Sequence, residues 1–152
     1  MRGAGRIRAL RELRGPRELA LFTYLVAFAA VVPLLMRLPL PRLAAVVTRP
    51  PGRRRVSPAT VERLAALVEL APRVAGPVVR TGCLTRGVTL FWFLRRGGMD
   101  VELRFGLDPT DASRPTGVDG HCWVAVDGEP FLEKVDPRSR FAEVFRMPVS
   151  GA

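Results

Sequence analysis

The feature that most constrains this sequence is an uncharged apolar run from Leu19 to Met36, which must be covered by protein or by lipid. Its 18 residues lie at the lower edge of the length that crosses a bilayer as a helix. Arginines flank the run on both sides, so charge gives no orientation, and no small-residue cleavage site of a signal peptide follows it. Pro33 is expected to kink the helix near its end. Two interpretations stay open: a helical arm that packs on its own domain or on a partner, or a segment that contacts a membrane.

The segment after the apolar run has the composition of a linker. It contains four prolines and then three arginines: Pro39, Pro41, Pro50, Pro51, Arg53, Arg54 and Arg55. We therefore divide the chain into a basic and apolar helical arm with its linker, residues 1–56, and a folded domain, residues 57–152.

Two helices are predicted at the start of the folded domain. Ser57 is expected to cap the first helix, with Pro58 in its first turn, and apolar residues then recur at helical spacing. Pro72 and Pro77 are expected to close it. A second helix should begin near Cys83 and run to Arg96, where two glycines at 97–98 stop it.

Strands are predicted in the rest of the domain. From Met99 to Phe105 apolar and charged residues alternate, which is typical of a half-buried strand. After a polar loop, two short strands at about 121–126 and 130–135 flank Asp127 and Gly128, a strong hairpin signal. The predicted fold is therefore α+β, with an antiparallel sheet.

Charge and cysteine content narrow the functional classes. The formal net charge is +10, yet the sequence has no zinc-finger spacing and no basic-aromatic interleaving, so nucleic acid is not the predicted partner. Two cysteines do not mark a disulfide-rich secreted scaffold, which favours the cytoplasm. A phosphate-binding loop of the Walker type is missing, and no cofactor is predicted.

Cys83 is the candidate nucleophile. It lies within one residue of a predicted helix start, where free amide hydrogens and the helix dipole stabilise a thiolate. The same amides could bind the oxyanion of a substrate carbonyl. A buried, inert structural cysteine is the alternative that Cys83 alone does not exclude.

His121 is the single histidine of the chain, so any histidine-dependent chemistry must use it. A thiol and an imidazole need only meet in space to form a catalytic pair. A zinc site of Cys83, His121 and Cys122 is not predicted, because adjacent strand residues point to opposite faces.

The acid that would orient His121 has to come from the predicted hairpin. Asp127 is in the turn and too far along the strand. Glu133, on the predicted returning strand, shares a face with His121 if the loop has three residues, and lies on the other face after a two-residue turn. Glu133 alternates with apolar residues, which favours the same-face register and makes it the first choice. Asp136 is the second.

Three segments resemble motifs of the lasso-peptide maturation proteases, over about residues 57–145. The sequence at 83–86, with Leu94 to Gly98 after it, resembles their "CL-x-R-A…LLRRRG" element. The strand at 101–106 resembles "A-x-L-x-x-G-V", and the sequence at 121–128 resembles "HAWVEVDG". These enzymes are leader peptidases similar in fold to transglutaminases and papain-like proteases.

The resemblance implies a cysteine peptidase with a Cys–His–Asp triad, in which Cys83 and His121 match directly. Glu133 best matches the third position, a departure from Asp, and Cys122 replaces the usual alanine. Because residues 1–56 read as an arm, the chain resembles the stand-alone protease half of a split system. The implied partners are a precursor peptide, a separate leader-recognition protein and an ATP-using lasso cyclase.

A non-enzymatic alternative stays open. The glutamate in place of aspartate and the short chain also suit a degenerate transglutaminase-like domain that binds peptide and is tethered to a membrane through residues 19–36.

Overall fold

The computed structural model describes residues 13–48, 56–76, 78–79, 81–111 and 119–148. In these ranges, four α-helices precede an antiparallel sheet, and the fourth of them packs against it. The helices are α1 (Pro16–Leu35), α2 (Leu40–Val47), α3 (Pro58–Ala75) and α4 (Cys83–Arg96). The strands are β1 (Glu102–Leu107), β2 (Gly120–Val126), β3 (Glu129–Phe131) and β4 (Ala142–Met147), with 3₁₀ turns at Pro109–Asp111 and Pro137–Ser139.

Two predicted helices have the expected starts. Ser57 caps α3, and its hydroxyl accepts a hydrogen bond from the amide of Thr60. Pro72 does not end α3, which continues to Ala75, because a proline in the last turn costs the helix few hydrogen bonds. The second helix spans Cys83–Arg96 as predicted.

Helix α2 lies where the sequence predicts a linker, so that prediction was wrong over Leu40–Val47. Pro39 is the N-cap and Pro41 the second helical residue, positions where the missing proline N–H costs nothing. The later part of the predicted linker, 49–55, lies outside the described residues. The division of the chain at residue 56 stays a prediction.

Helix α1 packs one face against α3 and α4. Phe22, Leu25, Ala29 and Val32 are buried on that face, in the same core as the apolar residues of α3 and α4. By length and composition, with a mean hydropathy of 2.1, it is also long and apolar enough to cross a membrane. The helix therefore packs on its own domain with one face, and its length and composition also allow contact with a membrane.

The sheet has the order β3-β2-β1-β4, with all neighbours antiparallel. Helix α4 lies on one face of it, burying Val88, Phe91 and Leu94 completely. The first strand begins at Glu102 instead of Met99, because the amide of Met99 donates to the carbonyl of Leu94 and ends α4. This packing places the start of α4 beside the start of β2.

Candidate functional site

Cys83 is the first residue of α4 and lies at an open helix start. The first intrahelical hydrogen bond runs from the amide of Arg86 to the carbonyl of Gly82, so the amides of residues 83–85 have no acceptor within the helix. Within the described ranges no side chain caps this end. The half-buried thiol lies 3.9 Å from the carbonyl oxygen of Gly120, the residue before His121. The thiol therefore lies at the end of the sheet where His121 is located.

The ring of His121 is stacked with two aromatic rings. Trp123 lies on the same face of β2, with ring centroids 6.1 Å apart, and Phe141 lies 5.2 Å away. Gly106 on β1 pairs with His121, and a Cβ there would come within 2.8 Å of Phe141 and 2.9 Å of Trp123. Because a larger residue would displace both rings, the stack requires glycine at this position.

Glu133 contacts His121, with Oε2 3.3 Å from Nε2. The side chain of Glu133 is only 12% exposed, so its charge is poorly screened by water. The sequence also predicts that these two residues lie together, but through a hairpin register that the structure does not have.

The hairpin register differs from the one predicted. The turn has two residues, Asp127 and Gly128, both with positive φ, and Val126 pairs with Glu129. Continued to the start of β2, that register would place Lys134 opposite His121. The strand instead ends at Phe131, and Leu132 takes a φ of 59°, which redirects the chain and brings Glu133 to the histidine.

Asp136, the second choice for the orienting acid, is engaged elsewhere. It caps the turn Pro137–Ser139, accepting hydrogen bonds from the backbone and side chain of Arg138. These bonds lower the pKa of Asp136. The acid in contact with His121 is Glu133.

Cys122 faces away from His121, as the alternation of a strand predicts. It is buried against α4, where a Cβ on Gly87 would lie 2.8 Å from its Sγ. Burial raises the pKa of the Cys122 thiol, and the neighbouring Cys83 raises it further. Cys122 is therefore a packing residue, and the described residues include no group of three metal-ligating side chains placed around one point.

Arg86 is a site residue that the sequence argument missed. Its guanidinium donates to Glu133 Oε1 at 2.7 Å, to the carbonyl of Leu132 at 2.7 Å and to Glu69 Oε1 at 2.5 Å. The available signal was its spacing: Arg86 follows Cys83 by three residues, so both lie on the same side of the helix. Its partner Glu133 could not be inferred from strand pairing.

An open cleft of about 770 Å³ lies beside these residues. Its lining includes His121, Glu133, Arg86, Phe141 and Lys134. A thiol at a helix start lies against the carbonyl of Gly120, and the next residue, His121, contacts a carboxylate. A thiol, an imidazole and a carboxylate are the groups that covalent acyl transfer uses. The cleft has room for several residues of a peptide beside His121 and Glu133.

The model of one protein family, described as the transglutaminase-like superfamily, matches residues 24–146. The match extends from α1 to β4 and contains Cys83, His121 and Glu133. No curated protein and no solved structure matches the chain.

Proposed function

This chain belongs to the transglutaminase-like superfamily, and from that membership and the site geometry we propose that it is a cysteine peptidase. Cys83 is the nucleophile, His121 the general base and Glu133 the orienting acid. The observation that carries the proposal is the contact of 3.3 Å between His121 and Glu133, beside a thiol that lies against the preceding residue.

The proposed reaction has two steps, formation of a thioester on Cys83 and its hydrolysis. The proton of the Cys83 thiol passes to His121, and the thiolate attacks the peptide carbonyl, whose oxyanion accepts from the open amides of α4. As the peptide bond breaks, the imidazolium gives its proton to the leaving amine, and a thioester remains on Cys83. His121 then deprotonates a water molecule that hydrolyses the thioester and restores the thiol. Glu133 fixes the tautomer of the imidazole and stabilises its charged form.

The proposed substrate is a ribosomally made precursor peptide, cut at the junction between its leader and its core. This rests on the resemblance of the sequences at 83–98 and 121–128 to lasso-peptide leader peptidases. A separate leader-recognition protein would deliver the precursor, and an ATP-using lasso cyclase would take the released core. The open cleft suits an extended peptide that another protein holds in place.

A reconstitution with the precursor encoded beside this chain tests the substrate class. We expect cleavage at one junction, with a rate that rises steeply when the leader-recognition protein is present, because binding then becomes effectively intramolecular. A precursor with a scrambled leader is the matched control and should lose that acceleration. Equal cleavage of both precursors would contradict a leader peptidase, and no cleavage at all would favour a peptide-binding domain.

We also propose that the enzyme works in the cytoplasm and contacts the membrane surface through α1. The outward face of α1 carries Ala20, Tyr24, Ala27, Val31 and Leu34, all exposed. Exposed arginines stand at both ends of this face, Arg14 and Arg17 before it and Arg37 and Arg42 after it. An apolar stripe between cationic ends suits a helix that lies in the plane of an anionic bilayer.

A further inference from the structure

We propose that Arg86 is a positioning residue that holds Glu133 in place for His121. The inference rests on the proposed roles of those two residues. Arg86 touches neither the thiol nor the imidazole in the described contacts, so its effect on the reaction would pass through the carboxylate.

The two oxygens of Glu133 are shared between the two partners. Oε1 accepts from Arg86 at 2.7 Å, while Oε2 lies 3.3 Å from His121 Nε2. A carboxylate held by one oxygen loses the freedom to rotate, so the other oxygen stays directed at the imidazole. The Glu133 side chain is 12% exposed, which makes the cation beside it effective.

Arg86 also binds the backbone at Leu132, the residue before Glu133. Leu132 adopts a φ of 59°, a left-handed conformation that is unfavourable for a residue with a side chain. The carbonyl of Leu132 accepts from Arg86 Nη2 at 2.7 Å. Without this turn the hairpin register would present Lys134 to the histidine. One guanidinium therefore stabilises both the turn and the carboxylate.

Glu69 fixes the third side of the guanidinium. Its Oε1 accepts from Arg86 Nε at 2.5 Å and joins α3 to the assembly. Burial alone would lower the pKa of Arg86, but the hydrogen bond to Glu69 and the charge of Glu133 outweigh it, so this pKa is raised. Three bonds in different directions suit the planar fork of arginine and not the single ammonium of lysine.

The groups around His121 decide which of its two ring nitrogens carries the proton when the ring is neutral. Glu133 faces Nε2, with Arg86 and Glu69 behind that carboxylate, and the Cys83 thiol lies near the preceding residue. Arg140, which lies over Phe141, pairs with Asp108 and Asp119. Because a carboxylate at Nε2 favours the tautomer with its proton on Nε2, a displaced Glu133 should release the ring from that tautomer.

The test is nitrogen NMR of the neutral His121 ring, whose signals are unambiguous because the chain has a single histidine. In Arg86→Gln we expect the ring to change from one tautomer to a mixture of both, and peptide cleavage to fall about tenfold or more. In Arg86→Lys the charge remains but the fork does not, so both effects should persist. Arg146→Gln is the matched control, since Arg146 lies on β4 and its ion pair is with Glu143 of the same strand.

An unchanged tautomer in a folded Arg86→Gln would overturn the positioning role. If Arg86→Gln does not fold, Arg86→Lys decides, because cleavage at the wild-type rate would overturn the role and reduced cleavage would support it. If Arg86→Gln has mixed tautomers but the wild type cleaves no peptide, the role of Arg86 would be supported and the peptidase refuted.

Discussion

The two cysteines differ in surroundings, and that difference should govern their reactivity. Cys83 is half-buried at an open helix start, whereas Cys122 is 2% exposed and burial raises the pKa of its thiol. A thiol that stays protonated and covered is a poor nucleophile.

We therefore expect iodoacetamide at neutral pH to modify Cys83 about a hundred times faster than Cys122. Peptide mapping by mass spectrometry gives the two rates, and the unfolded chain, in which both should react alike, is the control. Equal and slow modification in the folded chain would contradict a reactive Cys83.

Gly87 of α4 and Cys122 of β2 meet where the helix lies on the sheet. A Cβ on Gly87 would be 2.8 Å from Cys122 Sγ and 3.3 Å from its carbonyl oxygen. The protease motifs that this sequence resembles carry alanine at both positions. A smaller residue on the helix thus accompanies a larger one on the strand, which keeps the volume between helix and sheet.

This pairing predicts that Gly87→Ala destabilises the fold and that adding Cys122→Ala restores it. Crowding should cost the single variant about 1–3 kcal/mol, reduced by about 1 kcal/mol through the better helix propensity of alanine. Urea unfolding of the single and double variants measures the coupling. Additive effects of the two substitutions would show that the residues do not crowd each other.

At the scale of elements, much of the fold follows from local sequence signals. The bounds of α4 and the hairpin turn are encoded by residues next to them, namely the glycines after Arg96 and the Asp127-Gly128 pair. Helix α2 was missed because Pro39 and Pro41 also occur in linkers, although here they begin a helix. The contact between Glu133 and His121 depends on a positive φ at Leu132. A leucine rarely adopts this conformation, so the sequence does not predict it.

The outward face of α1 leads to a prediction about lipid binding. We expect Ala27→Glu to weaken binding to vesicles of phosphatidylserine and phosphatidylcholine about tenfold or more, because the carboxylate would enter the apolar boundary. Ala59→Glu is the matched control, since Ala59 is also exposed on a helix and the charge change is the same. Ala59→Glu should weaken vesicle binding only a few-fold, which is the effect expected from one added negative charge near the membrane surface. Cosedimentation measures both, and equal binding of the two variants would contradict the lipid-facing role.

At the scale of the whole molecule, ion pairs join elements that are distant in sequence. Glu18 of α1 pairs with Arg63 of α3, and these hydrogen bonds, with one from the amide of Arg14, lower the pKa of Glu18 to about 2. A carboxyl whose pKa is lowered in the folded state stabilises the fold above its unfolded pKa, and that contribution is lost as the pH falls.

The pH dependence of stability should reflect this pair. Between pH 4.5 and about 2, the free energy of unfolding of the wild type should fall toward that of Glu18→Gln. Urea unfolding at pH 6 and at pH 2.5 measures the difference between the two chains. A difference that stays constant across this range would show that the pair with Arg63 does not stabilise the fold.

The central claim is that Cys83 cleaves a peptide bond, and the most direct measurement compares the wild type with Cys83→Ala and Cys122→Ala. Each chain is incubated with the precursor peptide and its leader-recognition protein, and the products are identified by mass spectrometry. We predict cleavage at one bond by the wild type and by Cys122→Ala, and none above background by Cys83→Ala, since removing a nucleophile abolishes the covalent route. Cleavage by Cys83→Ala at the wild-type rate, or no cleavage by the wild type, would contradict the claim.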